Sequence, residues 1–257
     1  MSYYITDSIF ILNNKTYYEN SDEKKIKLNN SNWFKYLQDY GWEKMCRGWK
    51  RRLKENNKNS CFGVLECGSD GDCLFHVIAE ALNSEYMYTN NFNTEQHDVA
   101  SLRKLTSKQI TDDNFSYILN NYVIEKACGE FNGEWNPDDI TNKEELQLEI
   151  MKCGNNFWGD HILLQLLQNI LNINVIILKS DNYCNSEDDN ERYMIHSLCD
   201  VLDTTRKTII IYYFEEFHFQ LVGYFNGNVM KTIFEYHEIP QIIVNIYNLD
   251  TRKIQEV

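Results

Sequence analysis

The sequence lacks any apolar run long enough to cross a bilayer, so a membrane-spanning helix is not expected. Its first residues, Met1–Ile5, also lack the basic and apolar pattern of a secretory signal peptide. The absence of a membrane span and of a signal peptide predicts an intracellular, cytoplasmic protein without a membrane partner. Internal repeats are also absent.

The eight cysteines lack the spacing that metal sites require. They form no Cys-x-x-Cys pair, and no cysteine and histidine lie at ligand spacing. Scattered cysteines are typical of a reducing compartment, where disulfides are rare. The sequence therefore predicts free thiols, no structural zinc and no cofactor.

Net positive charge is also absent, because 25 Lys and Arg residues stand against 38 Asp and Glu residues, which gives −13 at pH 7. Such a chain repels the phosphates of a nucleic acid, which argues against nucleic-acid binding. An acidic protein suits a basic partner, although acidity by itself also serves solubility.

Length and composition predict one large domain, or one domain with an extension. The chain has 257 residues, of which 43% are hydrophobic, enough for a substantial core. We expect an N-terminal extension over 1–60 that is partly helical and is either accessory or packed on the core. A catalytic domain over 61–225 follows it, and C-terminal strands over 226–257 complete that domain.

Within the extension, residues 1–30 are expected to form strands or loops, and residues 31–54 are expected to be helical. Apolar residues recur at helical spacing along the second segment, among basic neighbours: Trp42, Met45, Cys46, Trp49 and Leu53. We expect this stripe to pack on the catalytic core, because stripes with helical spacing usually face a core. The alternative is a basic, aromatic surface for an acidic partner.

Beyond residue 100 the pattern changes from helices to strands. Residues 101–171 are predicted to be mainly helical, and residues 175–178 to form a short buried strand. The acidic segment 181–192 is expected to be a solvated loop, with a flap over a substrate groove as the alternative. Two strand-like runs, 208–214 and 218–225, predict an antiparallel hairpin.

The most specific pattern is the run Asp70-Gly71-Asp72-Cys73, which leads into an apolar helical repeat. Gly71 permits the sharp bend from loop to helix, and the repeat places Cys73 in the first turn. Unpaired backbone N–H groups and the positive end of the helix dipole favour a thiolate there. Cys73 is therefore a candidate nucleophile, with a buried structural cysteine as the alternative.

The two aspartates that flank Gly71 would disfavour a thiolate if they faced the sulfur. We expect Asp70 and Asp72 instead to accept hydrogen bonds from loop N–H groups, which would fix donors toward a developing oxyanion. Simple capping of the helix is the alternative, and both roles can hold together.

A cysteine nucleophile requires a base, and six histidines are candidates. His218 is the best placed, since it opens the second strand of the predicted hairpin. Gln220 lies two residues further and therefore shares its strand face, where its amide oxygen could orient the imidazole. His76 is the rival, but side chains at i and i+3 stack along a helix rather than meet. We expect His76 to line the groove or the helix surface.

The order of these motifs resembles that of the OTU (ovarian tumour) family of cysteine proteases over roughly residues 61–225. The resemblance rests on Asp70–Leu82, on Trp158-Gly159-Asp160 and the leucines after it, on Asn174–Leu178 and on His218–Val222. It implies an α/β, papain-like fold with a small central β-sheet flanked by helices. It also implies Cys73 as the nucleophile, His218 as the general base, and Asp70 as a residue whose loop shapes the oxyanion hole. Gln220 stands where the family usually carries Asp or Asn.

The resemblance further implies a deubiquitinase, which hydrolyses isopeptide bonds at the C-terminus of ubiquitin. Ubiquitin or polyubiquitin is then the expected partner, and its arginine-bearing tail suits an acidic chain. Two alternatives stay open: a protease for another ubiquitin-like modifier, and a catalytically weak ubiquitin-binding module. The intact pair of Cys73 and His218 argues against the binding module. We expect the protein to be a monomer.

Overall fold

The fold is described by a computed structural model over residues 2–55, 60–89, 96–180, 192–198, 201–214 and 218–255. Its strands form two separate sheets, and helices pack on both faces of the larger one. The prediction of an α/β fold with a central sheet flanked by helices is confirmed.

The smaller sheet consists of four antiparallel strands, β1 (Ser2–Tyr4), β2 (Ile9–Leu12), β3 (Lys15–Glu19) and β4 (Lys25–Lys27). Asn13 and Asn14 have φ angles of 49° and 56° and form the tight turn between β2 and β3. Asparagine tolerates the left-handed conformation that such a hairpin turn requires. The amide of Thr16 donates to the carbonyl oxygen of Asn228 at 2.8 Å, which ties this sheet to the remainder of the protein.

The segment after this sheet contains two short helices, α1 (Trp33–Leu37) and α2 (Arg47–Arg52), separated by strand β5 (Trp42–Lys44). The prediction of a helix throughout 31–54 is therefore wrong. Gly41 has a φ of 103°, a left-handed conformation that ends the helical segment before the strand. Trp42 and Trp49 are buried as expected, but they pack on opposite faces of the central sheet rather than on one helical stripe.

The central sheet contains eight of the described strands. They are β5, β6 (Phe62–Leu65), β7 (Ile173–Ser180), β8 (Tyr193–Ser197), β9 (Lys207–Phe214), β10 (His218–Phe225), β11 (Met230–Lys231) and β12 (Ile233–Phe234). The main order is β5-β6-β10-β9-β7-β8, with β11 beside β10 and β12 beside β9. β7 and β9 are parallel, whereas β9 and β10 form the predicted antiparallel hairpin.

One face of the central sheet carries most of the helices: α3 (Cys73–Thr89), α4 (Val99–Ser107), α5 (Asp112–Cys128), α6 (Lys143–Met151) and α7 (His161–Ile170). Their buried residues share one core with the inward face of the strands. This segment confirms the helices predicted over 101–171. α3 also lies against β10, so the packing brings the first residue of the helix close to the beginning of that strand.

The opposite face is covered by α2 and by a C-terminal helix, α8 (Gln241–Gln255). The prediction that strands make up 226–257 is correct only for the two-residue strands β11 and β12. In α8 the buried residues Ile243, Tyr247 and Asp250 recur at spacings of three and four, which is a helical period. Asp250 forms a buried ion pair with Arg52 of α2, with Nη2 and Oδ1 2.5 Å apart.

No helix within the described ranges is both long and apolar enough to cross a membrane. The proposed flap lies outside those ranges, because residues 181–191 are not among the described residues. The same holds for the turn at 215–217, between β9 and β10.

Candidate active site

Cys73 is the first residue of α3 and is 5% exposed. The two preceding residues that turn the chain, Asp70 and Gly71, have φ angles of 61° and 79°. A Cβ atom on Gly71 would lie 2.5 Å from the carbonyl oxygen of Gly154. Only glycine fits this close approach, which sets the loop directly against a second loop and places the sulfur at the positive end of α3.

His218 is the first residue of β10, where it pairs with Phe214 of β9. Its imidazole interacts with the Cys73 side chain, and this interaction is the main reason why the pKa of His218 rises to about 9. Burial lowers that pKa, and the neighbouring Glu66 raises it. An imidazolium ion at neutral pH is the partner that a cysteine thiolate requires.

Glu66 is the site residue that the sequence reasoning missed. Both of its carboxylate oxygens lie 2.7 Å from Nε2 of His218. Since Nε2 is occupied by the carboxylate, Nδ1 is the nitrogen that remains for the Cys73 thiol. Burial raises the pKa of Glu66, but hydrogen bonds from Gln220 and His218 outweigh that effect, so the pKa lies below its ordinary value. Glu66 is therefore charged at neutral pH.

The pairing of β6 with β10 explains how Glu66 reaches this position. Leu65 is opposite Leu221 in an antiparallel register. Glu66, the residue after Leu65, is therefore opposite Gln220, the residue before Leu221. Glu66 and His218 are 152 residues apart in the chain. Local sequence patterns carry no signal for such a pairing, which explains why the carboxylate was not identified.

Gln220 lies on the same face of β10 as His218, because both side chains contact Glu66. Its role differs from the predicted one. The amide nitrogen of Gln220 donates to Oε2 of Glu66 at 3.0 Å, so Gln220 orients the carboxylate, and the carboxylate contacts the imidazole. Its influence on His218 is thus exerted through Glu66.

His76 packs against the loop that precedes Cys73. A Cβ atom on Gly68 would lie 2.6 Å from Cδ2 of His76, so the imidazole lies against Gly68. Its interpretation as a residue of the groove or of the helix surface stays a prediction. His218 remains the candidate base, because its pKa responds to Cys73.

The two aspartates before Cys73 have different environments. Asp70 is exposed and occupies a left-handed conformation, which Asp tolerates better than most residues. Asp72 is buried, and its Oδ2 accepts the amide of Gly154 at 2.7 Å. Its Oδ1 accepts Nε of Arg103 at 2.7 Å, a partner that was not predicted. The sequence feature that could have identified Arg103 as a buried partner was its position as a charged residue among the apolar residues of α4.

A cavity of about 360 Å³ is lined by Phe219, the residue after His218, and by Gly159, but by neither Cys73 nor His218 themselves. Gly159 packs so closely on Leu74 that a Cβ atom would lie 2.4 Å from it. The cavity also contains Glu125 and Asp160, whose pKa values are raised by burial. Lys179 lines the same cavity, so its wall combines apolar, acidic and basic groups.

The comparison with protein-family models agrees with this geometry. The model of the OTU-like cysteine proteases matches residues 68–225. This range is more than half of the chain and includes Cys73 and His218. The chain therefore belongs to the OTU-like cysteine protease family. No curated protein matches the sequence significantly.

Solved structures of OTU domains show distant similarity. An OTU deubiquitinase from Wolbachia pipientis wMel bound to ubiquitin is 16% identical, with a TM-score of 0.43, and the match covers 65% of this chain and 98% of that one. An OTU domain in complex with ubiquitin is 18% identical, with a TM-score of 0.40 and coverages of 75% and 88%. The OTUD1 OTU domain is 16% identical, with a TM-score of 0.40 and coverages of 68% and 91%.

Proposed function

We propose that the protein is a deubiquitinase in which Cys73 and His218 hydrolyse the isopeptide bond at the C-terminus of ubiquitin. The observation that carries the proposal is the contact series from Cys73 to His218 to Glu66, at the N-terminus of a helix in a chain of this family. A thiolate, a proton carrier and a carboxylate that orients the carrier are the groups that acyl transfer requires.

The reaction begins when the Cys73 thiolate attacks the carbonyl carbon of the terminal glycine of ubiquitin. The carbonyl oxygen becomes an oxyanion, which backbone N–H groups of the Asp70–Asp72 loop and of Cys73 stabilise. The carbon–nitrogen bond then breaks, and the His218 imidazolium donates its proton to the leaving lysine amine. Ubiquitin is left as a thioester on Cys73.

Hydrolysis of the thioester reverses these roles. His218, now neutral, takes a proton from a water molecule as that water attacks the thioester carbon. The carbon–sulfur bond breaks, ubiquitin leaves as a carboxylic acid that loses its proton to solvent, and the thiolate and imidazolium are restored. Glu66 keeps the ring in one orientation and stabilises its positive charge in both steps, and Gln220 keeps Glu66 in place.

The charge of the chain supports ubiquitin as the substrate. A net charge of −13 suits a basic partner, and the tail of ubiquitin carries arginines. A monomer acting inside the cell stays a prediction.

Ubiquitin that carries a C-terminal electrophile tests the substrate, with ubiquitin-like modifiers that carry the same group as the comparison. We expect a covalent product with ubiquitin that forms at least about tenfold faster than with any modifier, and none with the Cys73→Ala variant. A faster reaction with another modifier would identify a protease for that modifier. Complete absence of a product with folded protein would favour a binding module.

A further inference from the structure

Arg103 of α4 is a fully buried cation that the reaction as described above does not use. Its side chain is 0% exposed, and its guanidinium stacks on the Phe75 ring at 4.3 Å from the ring centre. Nε lies 2.7 Å from Oδ1 of Asp72, and Nη2 lies 2.5 Å from the same oxygen. A buried arginine is costly unless its donors are satisfied, so the contacts of the remaining donors decide its role.

The remaining N–H groups bind backbone carbonyl oxygens of three other segments. Nη1 donates to Ile150 at the end of α6, at 3.0 Å. Nη2 donates to Phe157 at 2.7 Å and to Gly71 at 3.4 Å. Arg103 therefore joins α4, α6 and the loop before α7 to the two residues that directly precede Cys73.

The loop that Arg103 holds is in a conformation that it would not keep unaided. Asp70 and Gly71 are both left-handed, and for Asp70, which is not a glycine, surrounding contacts help to maintain this backbone conformation. Arg103 binds the Gly71 carbonyl and the Asp72 carboxylate, and Asp72 in turn accepts the amide of Gly154. The direction of the N–H groups next to Cys73 depends on these contacts.

We propose that Arg103 is a positioning residue for acyl transfer, which holds the Asp70–Asp72 loop so that its N–H groups face the oxyanion. Arg103 contacts neither the sulfur nor the substrate. Activation of the thiol depends on a different pair, His218 and Glu66. The proposal rests on the proposed reaction at Cys73 but not on ubiquitin as the substrate.

This division of roles allows two reactions of the same sulfur to be compared. Alkylation by iodoacetamide displaces iodide directly from a carbon atom and forms no oxyanion. Acetylation by p-nitrophenyl acetate passes through a tetrahedral oxyanion and then releases p-nitrophenolate. Loss of oxyanion stabilisation slows the second reaction alone, whereas loss of thiol activation or of the fold slows both.

The experiment measures both rates at Cys73 by peptide mass spectrometry in the full chain and in Arg103→Lys. We expect acetylation to fall about 10²-fold, the scale of losing an oxyanion donor, and alkylation to change less than about threefold. With a ubiquitin C-terminal amide as substrate, kcat should fall while KM changes less than about threefold.

Two further variants keep the test decisive. Asp72→Asn removes the charge at the same site but retains an oxygen for the Gly154 amide, and it replaces Arg103→Lys if that variant does not fold. Asp250→Asn disrupts a second buried ion pair, that of Asp250 with Arg52, which lies between α2 and α8. The side chains of Arg52 and Asp250 are 4% and 0% exposed. We expect Asp250→Asn to lower the melting temperature as much as Asp72→Asn does, without selective loss of acetylation.

The proposal is overturned if Arg103→Lys or Asp72→Asn acetylates at the wild-type rate, or if both reactions slow equally. It is also overturned if Asp250→Asn shows the same selective loss. Failure of the proposed function gives a different result, in which the wild-type protein does not cleave the ubiquitin amide while the ratio of the two small-molecule rates still depends on Arg103.

Discussion

The two ion pairs of the candidate site differ in exposure and therefore in what their charges can do. The side chains of His218 and Glu66 are 27% and 48% exposed. Those of Arg103 and Asp72 are 0% and 11% exposed. The charged atoms of both pairs are 2.5 to 2.7 Å apart, so distance alone does not distinguish the pairs.

The exposed pair can exchange protons with substrate and water, and its titration falls in an accessible range, since the pKa of His218 is about 9. The buried pair fixes loop geometry instead. The pair open to solvent therefore suits proton transfer, and the buried pair suits positioning.

Loss of the base should have the largest effect among the variants of the exposed pair. His218→Ala should lower kcat/KM by about 10²-fold or more, because it removes the group that carries the proton. His76→Ala is the matched control, since that ring packs on Gly68, and it should stay within about threefold of wild type. Hydrolysis of a fluorogenic ubiquitin amide measures both; equal losses would show that the wrong histidine was chosen.

Loss of the carboxylate should have an intermediate effect that depends on pH. Glu66→Gln should lower kcat/KM by about one order of magnitude, since a neutral amide no longer stabilises the imidazolium. In the wild type, the alkaline limb of the pH–rate profile should lie near 9, the pKa of His218. Because Glu66 raises that pKa, the limb should move to lower pH in Glu66→Gln. An unmoved limb would remove Glu66 from the site.

The same ionisation affects stability. The pKa of His218 is about 9 in the folded protein and 6.5 for an unperturbed histidine. The contribution of this pairing to folding is therefore fully present below about pH 6.5 and is lost as the pH rises through about 9. Thermal melts from pH 6 to 10 should show this decline in the wild type, and a smaller decline in Glu66→Gln.

Gln220 should have the smallest effect, because its contact with the imidazole is indirect. Gln220→Ala should lower kcat/KM less than about tenfold, and it should have no further effect in a Glu66→Ala background. Gln220→Asp should be worse than Gln220→Ala, because a second carboxylate would stand where Glu66 now accepts a hydrogen bond. Additive losses in the double variant would show that Gln220 acts on His218 without Glu66.

Local sequence patterns sufficed to select the residues on which the proposed chemistry depends. Cys73 was identified from the glycine turn and the helical repeat beside it, and His218 from the beginning of a strand. Glu66 and Arg103 were not identified, because their contacts join strands and helices that are far apart in the chain. A sequence pattern indicates which face of a helix or strand is buried, but not which other helix or strand packs on that face.

The same limit explains one of the two differences in the fold. The apolar residues from Trp42 to Leu53 fit a helical period, yet Gly41 and the pairing of β5 with β6 divide them between a strand and a helix. The other difference is α8, for which strands were predicted. Its buried apolar residues Ile243, Ile246 and Tyr247 recur at helical spacing, so the sequence did carry a signal for this helix.

The most direct test of this account is cleavage of di-ubiquitin by the wild-type protein and by Cys73→Ala, with ubiquitin binding measured on the same samples. Alanine removes only the sulfur, so we expect cleavage by the wild type, no detectable cleavage by the variant, and ubiquitin affinities within about threefold of each other. Substantial turnover by Cys73→Ala would contradict the assignment of Cys73 as the nucleophile.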